Sequence, residues 1–564
     1  MPELTKQLRK WALQNAVKYT GKANPGAIIG KLLAEKPELK DDMKTLAKEV
    51  NAVVKLVNAL SLEQQHAELT QLAPELLAPK KKEEQKHELP VLLGAVQGNV
   101  ITAFPPEPSG VAHIGHASGA LFNWTYAQRY GGTFILRFED TNPELAKKEY
   151  YTAISELLHW LGITWDKQIN ISDTLLAMYA KAEEFLDKGL FYACTCDGKR
   201  MQDKRHLGEA CEHRNFSIDQ NKSWWREMLA GTWNQNDVVL RFKGDMKHQN
   251  GVMRDPVMFR IIKKPHCLHG MKYCVWPSYD FAAAYSDGAE GITHRVRSKE
   301  FELRVELQLI LQKQMGFVPT FTIEQARINL EGVEANKRKI REKIASGEMT
   351  GWDDIRLTTL IALKRRGYTP EGIKNFLFSV GITKTERTLE WASLDAENRK
   401  VLDPVVNRYF FVARPEKITI TGAKAQKPEL LLHPEHPERG VRTFETAQTF
   451  YVAAEDVGLL KQRSLYRLMD CVNFTKTKTG YKYHSQSHEE YKAKGKRTMH
   501  WLPADEAVIV PVEIMMPDAS TLKGLGETAL KTLKEGTIIQ FARFGFCRLD
   551  KKENGKLTFW YAHK

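Results

Sequence analysis

The sequence predicts a multidomain α/β protein, with a doubly wound parallel-sheet domain set between helical segments and a β-rich tail. Three features carry that expectation. After Gly94, strand-like apolar runs alternate with helical patterns, the grammar of a parallel sheet with crossover helices. Helical periodicity dominates before that point and returns from about Lys339 to Leu402. Beyond Pro404, short apolar runs are broken by turn residues, as in a β-barrel or sandwich. At 564 residues the chain is too long for one core, so several domains are expected.

In chain order, residues 4 to about 77 read as helices. Leu46, Val50, Val53, Val54, Val57 and Leu60 recur at three- and four-residue intervals, and Pro25 and Gly26 punctuate the pattern. Pro79-Lys80-Lys81-Lys82-Glu83-Glu84-Gln85-Lys86 reads as a solvated linker. Val100-Ile101-Thr102-Ala103-Phe104 and Thr133-Phe134-Ile135-Leu136-Arg137-Phe138 are strand candidates. The second stops at Glu139-Asp140-Thr141-Asn142-Pro143, where Asp, Thr or Asn is expected to cap a helix. Residues 194 to about 265 interrupt the alternation with a cysteine cluster and a basic, Trp-containing stretch. Ala507-Val508-Ile509-Val510-Pro511-Val512 and Gly536-Thr537-Ile538-Ile539-Gln540-Phe541 exemplify the strand-rich tail. We place boundaries at 1–93, 94–193, 194–265, 266–338, 339–402 and 403–564.

Composition narrows the class. A net charge of +14 and a pI near 9.2 favour a polyanionic partner. No apolar run approaches a bilayer span, so no membrane is expected, and the N-terminus lacks the apolar core of a secretory signal. Seven unevenly spread cysteines argue against a disulfide framework and fit a reducing cytoplasm.

The most informative stretch is Phe104-Pro105-Pro106-Glu107-Pro108-Ser109-Gly110-Val111-Ala112-His113-Ile114-Gly115-His116. A Pro/Gly-rich turn between strand and helix aims backbone N–H groups and a helix N-terminus at one point, which suits a phosphate. Two histidines three apart are expected on one helical face beside it. Gly115 between them leaves room for a flat ring to approach the backbone. The stretch resembles the "HIGH" signature of class I aminoacyl-tRNA synthetases, and Pro-Pro-Glu-Pro-Ser-Gly narrows this to the glutamyl/glutaminyl branch. The resemblance implies a Rossmann-like catalytic domain that binds ATP through Pro106, Glu107, Ser109, Gly110, His113, Gly115 and His116.

Asn329-Leu330-Glu331-Gly332-Val333-Glu334-Ala335-Asn336-Lys337-Arg338-Lys339 standing alone reads as a basic surface loop. Beside a HIGH-like turn it resembles the "KMSKS" loop, with Lys337 in place of the second lysine. Attack of a carboxylate on the ATP α-phosphate builds charge on phosphorus and departing pyrophosphate, which mobile cations stabilise. Lys337 and Arg338 are the expected cations, with His113 and His116 holding the phosphates from the other side. A glutamate pocket must neutralise a carboxylate, which Arg does bidentately. In Gly291-Ile292-Thr293-His294-Arg295-Val296-Arg297, the last position resembles the arginine of glutamyl enzymes, where glutaminyl enzymes have a small uncharged residue. Glu139 matches the family carboxylate for the substrate ammonium, and Tyr279 a pocket tyrosine. Three departures stand out. Ala103 occupies the place of a second substrate-binding arginine, Asn336 that of the usual loop serine, and Glu334-Ala335 also differ from the signature.

Cys194-Thr195-Cys196 and, after fourteen intervening residues, Cys211-Glu212-His213 offer three thiolates and an imidazole, a donor set zinc favours. C-x-C with C-x-H does not decide the matter by spacing alone. Glutamyl-tRNA synthetases often carry a zinc element in this insertion, so the resemblance implies structural Zn²⁺ on Cys194, Cys196, Cys211 and His213. Cys267 and Cys274 fall outside the pattern.

The resemblance extends to both ends. Residues 1–93 look like the archaeal N-terminal helical extension with its linker, and 194–265 like the acceptor-end insertion. Residues 339–402 look like the stem-contacting helices, and 403–564 like the β-barrel anticodon region of archaeal/eukaryotic-type enzymes. Ala362-Leu363-Lys364-Arg365-Arg366-Gly367 is a basic run suited to phosphates. Arg467 and Arg543 are candidate anticodon contacts. Implied cofactors are ATP, Mg²⁺ and Zn²⁺. Implied partners are L-glutamate and tRNA(Glu), with tRNA(Gln) a further candidate, and a monomer is expected. The rivals are a glutaminyl enzyme and a catalytically silent tRNA-binding paralogue.

Overall fold

The computed structural model describes residues 2–18, 21–35, 42–76, 89–334 and 336–564. The expected linker at 79–86 and Ala335 lie outside the described residues. The chain divides into two compact units, Met1–His87 and Glu88–Lys564.

The first unit is helical: α1 (Pro2–Lys18), α2 (Pro25–Glu35), α3 (Met43–Asn58) and α4 (Leu62–Leu72). The apolar stripe of α3 buries Leu46, Val50, Val53, Val54 and Val57 against Leu8, Ala12, Leu13 and Ala16 of α1. Pro25 opens α2, where its missing N–H is harmless. Ser61 and Gln64 form a reciprocal capping box at the start of α4.

The second unit opens on three parallel strands, β1 (Ile101–Phe104), β2 (Thr133–Phe138) and β3 (Lys167–Asn170). Helix α5 (Ile114–Arg129) crosses from β1 to β2, and α6 (Lys148–Trp160) from β2 to β3. Between β2 and α6 the expected cap is absent. The Asp140 carboxylate instead accepts the Ser172 N–H and O–H and the Tyr151 O–H. Helix α6 begins only at Lys148, behind an N-cap Lys147 that makes no side-chain bond.

Beyond α7 (Leu175–Asp187), four antiparallel strands form a separate sheet: β4 (Phe191–Cys194), β5 (Val239–Phe242), β6 (Val257–Ile261) and β7 (Val275–Pro277). Helices α8 (Gly198–Leu207) and α9 (Ile218–Leu229) lie between β4 and β5. Helix α10 (Tyr279–Ala289) leads back to β8 (His294–Ser298), α11 (Glu302–Gln314) and β9 (Phe321–Gln325), with β8 and β9 parallel. Thr293 ties β8 to β1: its N–H donates to the Ile101 carbonyl at 3.0 Å, and the Ile101 N–H to its Oγ1 at 2.9 Å.

Strand alternation gives this array two unlike faces. Phe104, Phe134, Leu136, Phe138 and Val296 join the core under α5. Arg137, Arg295 and Arg297 occupy the other face, where Asp287 of α10 pairs with the first two. Helices α12 (Lys337–Ala345) and α13 (Leu360–Arg366) follow. The tail forms two seven-stranded sheets with their own cores. The apolar run at 507–512 becomes a strand from Ile509 that buries alternate residues, Val510, Val512 and Ile514. Among the described residues, no helix is long and apolar enough to cross a membrane.

Candidate active site

The HIGH-like turn leaves β1 and enters α5 with His113 as N-cap. Its Nδ1 accepts the Gly115 N–H at 3.1 Å, and His116 Nδ1 accepts the His113 N–H at 3.2 Å. The rings lie 3.9 Å apart between centroids. The two histidines therefore form a reciprocal capping pair in the place usually held by Ser and Glu. A ring nitrogen that accepts carries no proton, so each neutral imidazole keeps its proton on Nε2 as a donor. Burial pushes His113 down to about 4, with Lys337 and Arg327 adding to the effect. His116 also lies well below its ordinary value through burial, helped by His113 and Lys337. The flat ring that Gly115 admits is that of His113, since a Cβ there would meet His113 Cε1 at 2.9 Å.

Residues 112–114 are zipped to 358–360: Ile114 N–H donates to the Thr358 carbonyl, and Leu360 N–H to the Ala112 carbonyl at 2.9 Å. Within the turn, Ser109 Oγ donates to Glu107 Oε2 at 2.5 Å, and the Pro106 carbonyl accepts the Glu139 N–H. The lysine loop closes over it. The Lys337 chain packs on Gly110, whose added Cβ would lie 3.6 Å from Lys337 Cδ. Asn336 caps α12 by accepting from Arg338 N–H at 2.9 Å and Lys339 N–H at 3.3 Å. A serine hydroxyl does the same work, which accounts for that departure. Arg338 is not brought to the turn; it faces solvent and bonds Glu342 at 3.0 Å. Arg341, one helical turn after Lys337, donates to the Ser109 carbonyl at 2.7 Å. The i, i+4 relation to Lys337 was the available signal for it.

At the carboxyl end of β2, Glu139 is buried with Oε1 lacking a partner. Burial raises its carboxyl to about 8, against the pull of Arg137. Arg297, at the end of β8, donates from Nη1 to Gln308 Oε1 at 2.8 Å and from Nη2 to the Tyr279 hydroxyl. Its guanidinium carbon sits 4.5 Å from the Phe301 ring centre. Among the described residues, Arg297 joins no ion pair. Ala103 is buried among Ile135 and Ile292. Gln308, Asp287 and Arg295 were not singled out from sequence. Gln308 and Gln312 do fall at i, i+4 beside buried Leu307 and Leu311, a polar stripe inside an apolar face.

In the insertion, Cys194, Cys196, Cys211 and His213 are all buried, with ligand atoms within 4.8 Å of one another. Tetrahedral zinc, with bonds of about 2.3 Å to sulfur and about 2.0 Å to nitrogen, sets S···S and S···N separations of about 3.8 and 3.5 Å. Here Cys194 and Cys211 sulfurs lie 3.7 Å apart, and His213 Nδ1 is 3.5 Å from Cys196 and 3.8 Å from Cys194. The other imidazole nitrogen, Nε2, pairs with Thr195 Oγ1 at 3.0 Å, leaving Nδ1 for the ion. The donor set fits. All seven cysteines are free thiols.

Several arginines read as RNA contacts have internal partners. Arg365 binds Asp353 and, with two nitrogens, Asp550. Arg366 is buried and donates to the Ala562 carbonyl at 3.0 Å. Arg467 is buried and donates to Asn473 and the Gln486 carbonyl, while Arg543 grips Asp456.

Residues 99–404 match the family described as tRNA synthetases class I (E and Q), catalytic domain; 406–496 and 498–550 match its anti-codon binding domains. The chain belongs to the class I tRNA synthetases of the E and Q branch. Similar members of that branch include the Glutamate--tRNA ligases of Pyrococcus furiosus and Pyrococcus abyssi. The first is 40% identical over 100% of both chains, the second 40% identical over 98% of this chain and 99% of the other. The protein of the same name from Methanothermobacter thermautotrophicus is 37% identical over 98% of each chain. In this synthetase the HIGH-like turn follows the carboxyl end of β1, Glu139 that of β2, and Arg297 lies at that of β8, the end at which parallel sheets bind ligands.

Proposed function

We propose that this synthetase is a glutamate--tRNA ligase that activates L-glutamate with ATP and Mg²⁺ and transfers it to the 3′-terminal adenosine of tRNA(Glu). The observation that carries this reading is a pair of complementary groups. Arg297 is a cation whose hydrogen-bond partners are neutral, and Glu139 is a buried carboxylate with an unpartnered oxygen. An α-amino acid with an acidic side chain complements both, ammonium to Glu139 and side-chain carboxylate to Arg297, while Tyr279 holds the guanidinium.

His113 and His116 offer two Nε2–H donors to phosphate oxygens, and Lys337 brings an ammonium to the same turn. The glutamate α-carboxylate attacks the α-phosphorus, the bond to pyrophosphate breaks, and glutamyl-adenylate forms. The terminal ribose hydroxyl then displaces AMP. Positioning and charge stabilisation suffice, with no side chain needed as general base. Zn²⁺ on Cys194, Cys196, Cys211 and His213 would hold the insertion in shape, and the other four cysteines, free thiols all, suit the reducing cytoplasm.

ATP–pyrophosphate exchange with and without tRNA is the test. Exchange that needs glutamate supports the reading, exchange with glutamine supports the glutaminyl rival, and none despite tight tRNA binding supports a silent paralogue. Lys337→Ala is expected to lower exchange about 10²–10³-fold, the loss seen for one oxyanion donor, while keeping tRNA binding. Charging both tRNA(Glu) and tRNA(Gln) resolves the finer specificity, and elemental analysis is expected to find one zinc per chain.

A further inference from the structure

The sheet face toward α10 carries three guanidiniums and an uneven supply of carboxylates. Asp287 serves two of them: Oδ1 accepts from Arg137 at 2.8 Å, and Oδ2 pairs with Arg295. Glu290 takes the other arm of Arg137 at 2.9 Å. Arg297 receives none. Instead a single oxygen, Oε1 of the fully buried Gln308, accepts from both Arg295 Nη2 at 2.9 Å and Arg297 Nη1 at 2.8 Å. The amide cannot turn away, because its Nε2 donates to Asp280 Oδ1 at 3.1 Å, and Asp280 is held by Arg304. Thr322 Oγ1 fixes Arg295 from the far side at 2.9 Å.

Two like charges on one neutral oxygen repel each other at short range in a poorly screened site. Asp287 bonds Arg295 through one nitrogen only, and Glu139 makes no side-chain bond to any of the three guanidiniums, so the excess positive charge lies at Arg297, the one without a carboxylate partner. Ala103 adds no cation to this face. A neutral carboxamide entering the pocket leaves that excess in place, whereas a carboxylate cancels it.

We propose that Gln308 and Arg295 are positioning residues that make the pocket selective for a carboxylate side chain. Gln308 locks the plane of the Arg297 guanidinium, and Arg295 supplies the standing positive charge that a carboxamide leaves unmet. This rests on the reading of Arg297 as the receiver of the glutamate side chain.

The test measures tRNA charging by the full chain with glutamate and with glutamine. Gln308→Met keeps bulk and removes the oxygen. It is expected to raise KM for glutamate about 10–100-fold, the value of a hydrogen bond to a charged group, with KM for ATP within about twofold. Arg295→Lys, which keeps the charge, is expected to retain the glutamate-over-glutamine ratio. Arg295→Met leaves Asp287 paired with Arg137 and so strands no buried carboxylate, and it is expected to reduce that ratio at least tenfold. Equal rises in KM for glutamate and ATP, or an unchanged ratio in Arg295→Met, overturn the proposal. Arg297→Met separates the two readings. If it leaves KM for glutamate unchanged, the assignment of Arg297 fails. If it abolishes selectivity while the Gln308 and Arg295 variants do not, only the positioning claim fails.

Discussion

Arg297 in the catalytic region and Arg442 in the tail each lie against two aromatic rings, but their hydrogen-bond partners differ in kind. Arg297 donates to an amide oxygen and a phenol. Arg442 donates to both oxygens of Glu527 at 3.0 Å, in a pair with side chains 8% and 0% exposed. Arg543 likewise grips Asp456, which also holds Arg497. An arginine on neutral acceptors keeps its charge for a ligand; one clasped by its own carboxylate holds strands together. Composition cannot make that distinction, since both kinds contribute equally to a charge of +14. The partner set can.

The largest effect expected from this contrast is on stability. Arg442→Leu leaves Glu527 buried without a cation, which costs about 3–5 kcal/mol, read as a lower urea midpoint at unchanged slope. Burial already raises Glu527 to about 7, with Arg442 pulling it down. A carboxyl whose folded value exceeds its unfolded one contributes stability at low pH that is lost as pH rises from about 4.5 through 7. Without Arg442 that value rises further, so both chains lose stability in parallel up to about 7, and the extra loss in Arg442→Leu is expected to appear as pH rises above it. Glutamate kinetics are expected to stay as in the parent chain. A raised KM for glutamate with unchanged stability would break the contrast.

A second, smaller effect sharpens the other side. Glu139 must be ionised to hold an ammonium, yet burial puts it at about 8 in the free protein. Since kcat/KM reports the free enzyme, its value for glutamate is expected to climb about tenfold per pH unit below 8 and then level off. Glu139→Gln is expected to lower the activity and flatten the slope. A profile already flat at pH 6.5 in the parent chain contradicts the assigned role.

How far the sequence could be read follows from the range of the forces involved. Apolar patterning is local, so the α3 stripe, β1, β2 and the short apolar strands of the tail were legible. The HIGH-like turn was legible because a Pro/Gly turn with two histidines is a local device. Arg338 was misleading: it neighbours Lys337 in sequence, but successive helical residues diverge by about 100°, and its side chain leaves the turn. Asp140 was expected at a cap and instead anchors Ser172 thirty-two positions on. Gln308, Asp287 and Arg341 bind non-local partners: helical spacing marks Gln308 and Arg341, but what each of the three holds shows only in the folded chain.

Arg543 gives the finest test of the contrast. Its segment, Phe541-Ala542-Arg543-Phe544-Gly545-Phe546, interleaves a cation with aromatics, the pattern of a base-reading surface. In the folded chain Phe541 is buried in the core of its sheet, and the guanidinium donates to both oxygens of Asp456 at 2.9 and 3.1 Å. Its side chain remains 27% exposed, so screening reduces the worth of the pair to about 1 kcal/mol or less. Arg497 still neutralises Asp456 when Arg543 is lost. Arg543→Ala is thus expected to shift the unfolding midpoint slightly and to leave affinity for tRNA(Glu) within about twofold, measured by filter binding at fixed salt because phosphate contacts are salt-dependent. A tenfold loss of affinity at unchanged stability would instead make Arg543 a base reader, and an ion pair with an internal carboxylate would no longer mark an arginine as scaffold.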